Sequence, residues 1–133
     1  MKIMARVALF LAALAVLHTS AGQAASPAVP VPVKDTVTMV DLGANACIPC
    51  KMMAPILEEL AAEYRGRAAI IFIDVWQNPD AGKKFKVSMI PTQIFFDRSG
   101  KEVYRHSGFM DKKTIIAQLA TMGVAQPGAG DGK

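Results

Sequence analysis

Both cysteines of this 133-residue chain lie in one short stretch, Cys47-Ile48-Pro49-Cys50. The stretch separates an apolar, strand-like run that ends at Asp41 from a run with helical spacing that begins near Pro49. A disulfide between cysteines so close in sequence constrains little of the unfolded chain, so it would stabilise a fold only weakly. The position between a strand and a helix is better suited to a dithiol that reacts.

The start of a helix is a favourable place for a reactive thiol. Its unpaired N–H groups and positive dipole stabilise a thiolate. We therefore predict Cys47, one turn nearer solvent, as the nucleophile, and Cys50 as the resolving thiol that attacks the mixed disulfide. Pro49 suits the first helical turn, which needs no N–H from it, and Lys51 adds a positive charge.

Other uses of a cysteine pair fit the sequence less well. Attachment of a c-type haem requires a histidine after the second cysteine, where Lys51 stands. A zinc site needs four ligands, and beyond the two cysteines the chain offers only His18 and His106 as nitrogen ligands. A cysteine protease needs a histidine base, and nothing marks His106 as one. A static disulfide remains an alternative, and we expect no metal or cofactor.

The N-terminal residues predict export. Lys2 and Arg6 give a basic start, residues 7–17 are an unbroken apolar run, and small residues follow it. We predict a secretory signal peptide over residues 1–25, cleaved between Ala21 and Ser26. The apolar run is short for a membrane span, although an uncleaved N-terminal anchor is the alternative.

The remaining chain of about 108 residues is long enough for one domain and too short for two. Without Lys2 and Arg6 it carries 13 basic and 11 acidic residues, scattered along the sequence, which argues against binding nucleic acid. We predict a proline-rich linker or edge strand over residues 26–35, a domain over 36–125 and a disordered tail over 126–133.

Hydrophobic periodicity in the domain predicts the order strand, helix, strand, short helix, strand, strand, helix. The strands are expected over residues 36–42, 69–75, 92–97 and 101–106, with a hairpin turn at 98–100. Pro55 interrupts the first helix, where it should cost a hydrogen bond and kink the axis. Asn78 and Asp111 are predicted to cap the second and third helices.

The chain resembles the thioredoxin family over residues 37–124. The shared features, in the family's order and spacing, are Val40-Asp41-Leu42, the Cys47 to Lys51 stretch, Ala54 to Leu57, Asp74 to Pro79, Ile90-Pro91-Thr92 and Gly108. The resemblance implies an α/β thioredoxin fold, a single domain whose mixed four- or five-stranded sheet is flanked by helices. Too few residues precede Thr36 for the family's first strand and first helix, which favours four strands.

The resemblance also implies site residues. Asp41 corresponds to the family's buried carboxylate, which accepts a proton from the Cys50 thiol. Pro91 corresponds to a cis-proline beside the disulfide, where Ile90 and Thr92 frame a groove for extended substrates. The substrate-binding set is completed by Ile48, Pro49 and Trp76.

Three positions depart from the family pattern. Ala46 and Gly43 replace two aromatic residues, which reduces the apolar docking surface around Cys47. Phe72 replaces a lysine that many members place near the buried aspartate. Trp76 is predicted to fill the space that Gly43 leaves; the alternative is an aromatic at a strand end, partly exposed.

The predicted function is a thiol-disulfide oxidoreductase of the bacterial cell envelope. Proline before Cys50 and no histidine between the cysteines favour a reductant; an oxidase or isomerase is the alternative, and a thioredoxin-fold binding module or chaperone another. The expected partners are cysteine-containing exported proteins, including apocytochromes c. A transmembrane thiol carrier would supply electrons, and the protein would act as a monomer.

Overall fold

The computed structural model describes residues 30–125 and Gly128. The predicted signal peptide, the start of the linker and nearly all of the predicted tail lie outside these residues. Along the chain, the elements are β1 (Val37–Gly43), α1 (Ile48–Glu63), β2 (Ala68–Asp74), α2 (Pro79–Lys84), β3 (Thr92–Phe96), β4 (Glu102–Ser107) and α3 (Lys112–Thr121). The predicted order of elements is confirmed, with strand bounds displaced by one residue.

The four strands form one mixed sheet in the order β2-β1-β3-β4. β1 pairs with β2 in parallel, whereas the β1–β3 and β3–β4 pairs are antiparallel. A right-handed crossover through α1 is the expected connection between two parallel neighbours. The structure confirms the thioredoxin fold with a four-stranded sheet.

The two faces of the sheet bury separate apolar clusters, because successive side chains of a strand point to opposite faces. On one face, Met39 and Phe95 pack with Met53 and Leu60 of α1 and with Ile115 of α3. The other face buries a second cluster, made by Val31, Val40, Leu42, Phe85, Ile94 and Phe96. The central strands β1 and β3 are therefore covered on both sides, as all their side chains are buried.

The helix starts agree only partly with their predicted caps. Asp111 caps α3, where its side chain accepts a hydrogen bond from the Thr114 N–H at 2.9 Å. Asn78 precedes α2 but its side chain does not cap it. Its amide instead donates to the Asp74 carbonyl at 3.0 Å, which holds the loop after β2. The helix α1 continues through Pro55 to Glu63.

Residues 30–35, the described part of the predicted linker, form no strand, and some of them pack against the domain. Val31 is buried in the cluster beside α2, and its carbonyl accepts a hydrogen bond from Lys84 Nζ at 3.2 Å. The Val33 N–H donates to the Thr38 hydroxyl. The apolar residues between the prolines bury surface here, so this half of the segment belongs to the fold.

Within residues 30–125, no helix combines the length and the apolarity that a membrane crossing requires.

Candidate active site

The two cysteines form a disulfide at the start of α1, with Cα atoms 5.2 Å apart. Cys47 is the residue that precedes the helix, and Cys50 lies in its first turn. Cys50 is only 3% exposed, whereas Cys47 is half-buried. An incoming thiolate or disulfide therefore has access to the Cys47 sulfur, as the predicted nucleophile requires.

The electrostatics of the helix start favour a thiolate at Cys47 once the disulfide is reduced. The first turn of α1 contains no acidic residue, and Pro49 occupies the predicted place in it. No side chain caps the free N–H groups of this turn, which leaves their partial positive charge directed at the sulfur. Lys51 is exposed beside it.

The strand directions bring four loops to one edge of the sheet. Gly43 at the end of β1 pairs with Asp74 at the end of β2. Leu42 pairs with Thr92 at the start of β3, and Thr92 pairs with Ser107 at the end of β4. The loops that follow β1, β2 and β4 and the loop that precedes β3 therefore meet around the disulfide.

Exposed apolar side chains occupy these loops. Ile48 is 75% exposed, Trp76 61% and Met89 58%, and Phe109 follows β4 with its ring partly exposed. Trp76, Met89 and Ile90 line an open groove against α2, together with Lys83 and Lys86. These exposed apolar side chains lie at the edge of the sheet that carries the disulfide.

The loop before β3 is fixed by hydrogen bonds. The Ile90–Pro91 peptide bond is cis, as the resemblance implied. The Pro91 carbonyl accepts from the Gly108 N–H at 2.8 Å, and the Thr92 hydroxyl donates to the Met89 carbonyl at 2.6 Å. Pro91 and Thr92 are buried, so of the two residues predicted to frame the groove, Ile90 and Thr92, only Ile90 lines the open groove beside α2.

The space at Gly43 is filled by Phe72 rather than by Trp76. A Cβ atom at Gly43 would lie 3.1 Å from the Phe72 ring and 3.2 Å from the Cys50 sulfur. Phe72 and Cys50 also line one pocket, whose other side is α1. Trp76 follows the end of β2 at Asp74, is largely exposed and lines the groove beside Ile90, so it does not fill this space and agrees with the alternative of a partly exposed aromatic at a strand end.

Asp41 is fully buried on the face of the sheet that α1 covers, two residues before Gly43. Its Oδ1 accepts a hydrogen bond of 2.7 Å from Gln93 Nε2 on β3. Burial raises the pKa of Asp41 to about 6, and the hydrogen bond from Gln93 opposes part of that rise. A carboxyl group with this pKa can both hold and release a proton near neutral pH.

Two residues of this region were not predicted to have a role. Gln93 was missed, although a lone amide in the apolar strand Thr92–Phe96 was a usable signal. Asp74 was also missed as a loop anchor. Its carboxylate accepts from the N–H groups of Asn45, Trp76 and Gln77 at 2.9 to 3.0 Å. These backbone hydrogen bonds, that of Asn45 first, lower the pKa of Asp74.

Asp74 therefore joins the loop that carries Cys47 to the loop that carries Trp76. Among residues 30–125, no three His, Cys, Asp or Glu side chains converge as metal ligands. The chemistry of the site is that of the two sulfur atoms, a buried acid and an exposed apolar edge. Such a cysteine pair at a helix start, able to cycle between dithiol and disulfide, defines a thiol-disulfide oxidoreductase.

Comparison with known proteins identifies the family. The family model described as Thioredoxin matches residues 28–121. A thioredoxin of Staphylococcus aureus (strain Mu50) is 46% identical over 87 residues, which are 65% of this chain and 83% of that protein. The chain belongs to the thioredoxin family, and its redox-active pair is Cys47 and Cys50.

Solved structures of thioredoxins superpose on the same region. Chloroplastic thioredoxin z gives a TM-score of 0.60 at 30% identity and covers 68% of this chain and 81% of its own. The thioredoxin of Fasciola hepatica gives a TM-score of 0.59 at 34% identity. The match covers 67% of this chain and 83% of the Fasciola hepatica chain.

Proposed function

We propose that this protein is an exported thioredoxin that reduces disulfides of other proteins in the bacterial cell envelope. The observation that carries the proposal is the Cys47–Cys50 disulfide, whose accessible sulfur lies among exposed apolar side chains. Ile48 on one side and Trp76 and Met89 on the other offer contacts to an extended polypeptide. A small-molecule thiol would not need so wide an apolar edge.

The proposed reaction transfers two electrons from the dithiol to a client. The Cys47 thiolate attacks one sulfur of the client disulfide, so that a mixed disulfide forms and one client thiolate leaves. The Cys50 thiol then loses its proton and attacks the Cys47 sulfur, which releases the second client thiolate. The client gains two thiols and the protein returns to the Cys47–Cys50 disulfide.

Asp41 is the proposed proton acceptor for Cys50. It lies on the sheet face beneath the helix that carries Cys50, and its raised pKa lets it take up a proton near pH 7. The proton later passes to a departing client thiolate or to water. Asp41 therefore contributes as a base and not as a nucleophile.

A reductant is favoured over an oxidant by the residues between the cysteines. Neither Ile48 nor Pro49 can donate a hydrogen bond from its side chain to the Cys47 thiolate, so the dithiol form gains less stability than it would from a histidine. A less stable dithiol is a better electron donor.

The proposed location and partners come from the sequence. The basic, then apolar, then small-residue pattern of residues 1–25 supports export, with cleavage near Ala21 to Ser26. A reductant in an oxidising compartment needs a membrane-borne thiol donor, because the cytosolic reductants are absent there. Exported proteins with cysteine pairs, apocytochromes c among them, are the proposed clients.

The decisive measurement is the reduction potential of the protein without residues 1–25, equilibrated in glutathione buffers. We expect a value near about −270 mV, at the reducing end of the family range. A value near about −120 mV would instead assign an oxidase, and an intermediate value an isomerase.

Two variants test the roles of the cysteines. The wild type should reduce insulin disulfides and Cys47→Ser should not, whereas a wild type without this activity would favour a binding module or chaperone. Cys50→Ala should trap clients as mixed disulfides. If trapping in cells yields only cytoplasmic proteins, the proposed location is wrong.

A further inference from the structure

Asp41 and Gln93 form a buried polar pair across two neighbouring strands. They are register partners in the β1–β3 ladder, and neither is exposed to solvent. One hydrogen bond joins them, from Gln93 Nε2 to Asp41 Oδ1. The second carboxylate oxygen of Asp41, Oδ2, and the amide oxygen of Gln93, Oε1, have no hydrogen-bond partner in the described part of the chain.

A buried polar pair with unpartnered atoms lowers the free energy of unfolding. Each buried polar atom without a partner lowers the stability of the fold, and two apolar residues would fit this interior without that cost. The neighbouring interior is apolar, with Met39 and Phe95 next along the two strands on the same face. A role in the chemistry of Asp41 explains why an amide lies there.

We propose that Gln93 is a positioning residue that keeps Asp41 hydrogen-bonded in both of its protonation states while the acid exchanges a proton with Cys50. The inference rests on the proton-transfer role proposed for Asp41. It assigns to Gln93 a function that acts through Asp41 and involves no contact with a client.

The amide group is suited to this role because it carries a donor and an acceptor side by side. The carboxylate form of Asp41 needs a donor, which Nε2 supplies at 2.7 Å. When Asp41 takes the Cys50 proton, its new O–H group needs an acceptor, and Oε1 is available. A half-turn about the last side-chain bond of Gln93 exchanges the two atoms, and that torsion has a broad energy profile.

The register partner of Asp41 on the other neighbouring strand does not supply a hydrogen bond to the acid. Phe72, the register partner of Asp41 on β2, is apolar and supplies neither charge nor hydrogen bond. A lysine there would stabilise only the carboxylate, since an ammonium group has no acceptor. The neutral amide therefore bonds both states, and it bonds the carboxylate more strongly because a hydrogen bond to an ionised acceptor is the stronger one.

The ionisable groups on the surrounding elements are exposed or have partners other than Asp41 and Gln93. Lys51 and Glu58 of α1 are exposed and line the pocket beside Cys50. His106 of β4 is the register partner of Gln93, and its ring contacts the Phe109 carbonyl. Lys112 of α3 pairs with Glu59 and Glu63 of α1, and Asp74 of β2 accepts backbone N–H groups.

The test is a titration of Asp41 in the reduced protein, followed by the carboxyl carbon signal in NMR. The signal is assigned by its loss in Asp41→Asn. Gln93→Met keeps the size of the side chain and removes both hydrogen-bonding atoms. We expect the midpoint for Asp41 to rise by about one pH unit, a tenfold change in proton affinity. The pH profile of insulin reduction should move in the same direction.

Thr38→Val is the matched control. Thr38 is fully buried on the same strand, but it lies on the opposite face, where its hydroxyl bonds Val33 and Thr36. This variant should lower stability and leave the Asp41 midpoint unchanged. An equal shift in Thr38→Val and Gln93→Met would overturn the inference, because general loosening would then explain both.

The remaining outcomes separate this inference from the proposed function. If Asp41→Asn changes the pH profile and Gln93→Met does not move the midpoint, the role of Gln93 is wrong and that of Asp41 stands. An unchanged profile in Asp41→Asn overturns both. If Gln93→Met does not fold, Gln93→Glu replaces it, since two facing carboxyls share a proton and should raise the midpoint further.

Discussion

At the scale of single residues, two aspartates of this protein show how environment sets acidity. Asp41 and Asp74 are both buried at the end of the sheet that carries the disulfide. Burial dominates for Asp41 and raises its pKa, because only one amide donates to it. Backbone N–H groups dominate for Asp74 and lower its pKa. The first is fitted to exchange protons and the second to remain charged.

The raised pKa of Asp41 predicts that stability falls as the pH rises. The folded state holds a proton up to about pH 6, whereas the unfolded state releases it near the ordinary value of 3.8. Unfolding therefore becomes easier between these values, by about 3 kcal/mol in total. Asp41→Asn removes this titration. It should raise the free energy of unfolding of the oxidised protein in urea at about pH 8 and change it far less at about pH 4.

The quantity to compare is the difference between the gains in the free energy of unfolding at the two pH values, and not the gain at one pH. Equal gains from Asp41→Asn at both pH values would show that folding does not raise the pKa of Asp41. The prediction for Asp41 would then be wrong.

At the scale of elements, the active-site edge is held by loops tied to one another. Asp74 ends β2 and binds the N–H of Asn45, which belongs to the loop before α1. The same carboxylate binds two N–H groups of the loop after β2. The start of α1, and Cys47 with it, is therefore positioned by a side chain on another strand.

Asp74→Ala should loosen both loops. The amide protons of Asn45, Trp76 and Gln77 lose their acceptor and should exchange with solvent faster, while those of β1 and β3 should not. The rate of insulin reduction should fall because Cys47 is less well positioned. Asp80→Ala is the control, since Asp80 is almost fully exposed and contacts only Lys83. Unchanged exchange at all three amides would contradict the anchoring role.

The sequence predicted the elements better than the contacts between them. Apolar periodicity and the Asp111 cap are local signals, and they located α3 and the strands. The side chain of Asn78 was misassigned because the strand-end carbonyl of Asp74, which competes for its amide, was not considered. The pairing of Asp41 with Gln93 depends on the register of two strands 52 residues apart, which no local pattern specifies.

At the scale of the whole molecule, the sheet joins two cores into one structure. β1 and β3 contribute alternate side chains to both clusters, so neither cluster can be lost while the sheet remains. The site lies at the start of α1, whose buried side chains belong to the first of these clusters.

Core truncations on either face should therefore unfold the same cooperative unit. Leu60→Ala on the α1 side and Ile94→Ala on the α2 side remove fully buried side chains. Each should lower the free energy of unfolding by about 2–5 kcal/mol without changing the slope of the urea transition. A second transition in either variant, seen by fluorescence or circular dichroism, would show that the two cores unfold separately.

The place of the cysteines between a strand and a helix predicted the redox pair, and the family resemblance predicted the buried acid and the cis-proline, because each is carried by a short motif. It could not predict what replaces a missing aromatic. Trp76 was placed at Gly43 on the expectation that β2 reached it, whereas Phe72, earlier on that strand, is the residue that does. Whether Phe72 or Trp76 lies next to Gly43 depends on the residue at which β2 ends, to within one or two positions.

The close approach of Phe72 to Gly43 also means that the residue types at these two positions constrain each other. Any side chain at residue 43 would meet the Phe72 ring and the Cys50 sulfur at once. A bulky group at this position of β1 therefore requires the partly exposed Phe72 ring to shift or to be replaced by a smaller side chain. In an alignment of close relatives, small residues at 43 should accompany aromatic residues at 72. The aromatic ring near the Cys50 sulfur is therefore supplied by Phe72 of β2, whereas the family pattern has an aromatic residue at position 43 of β1.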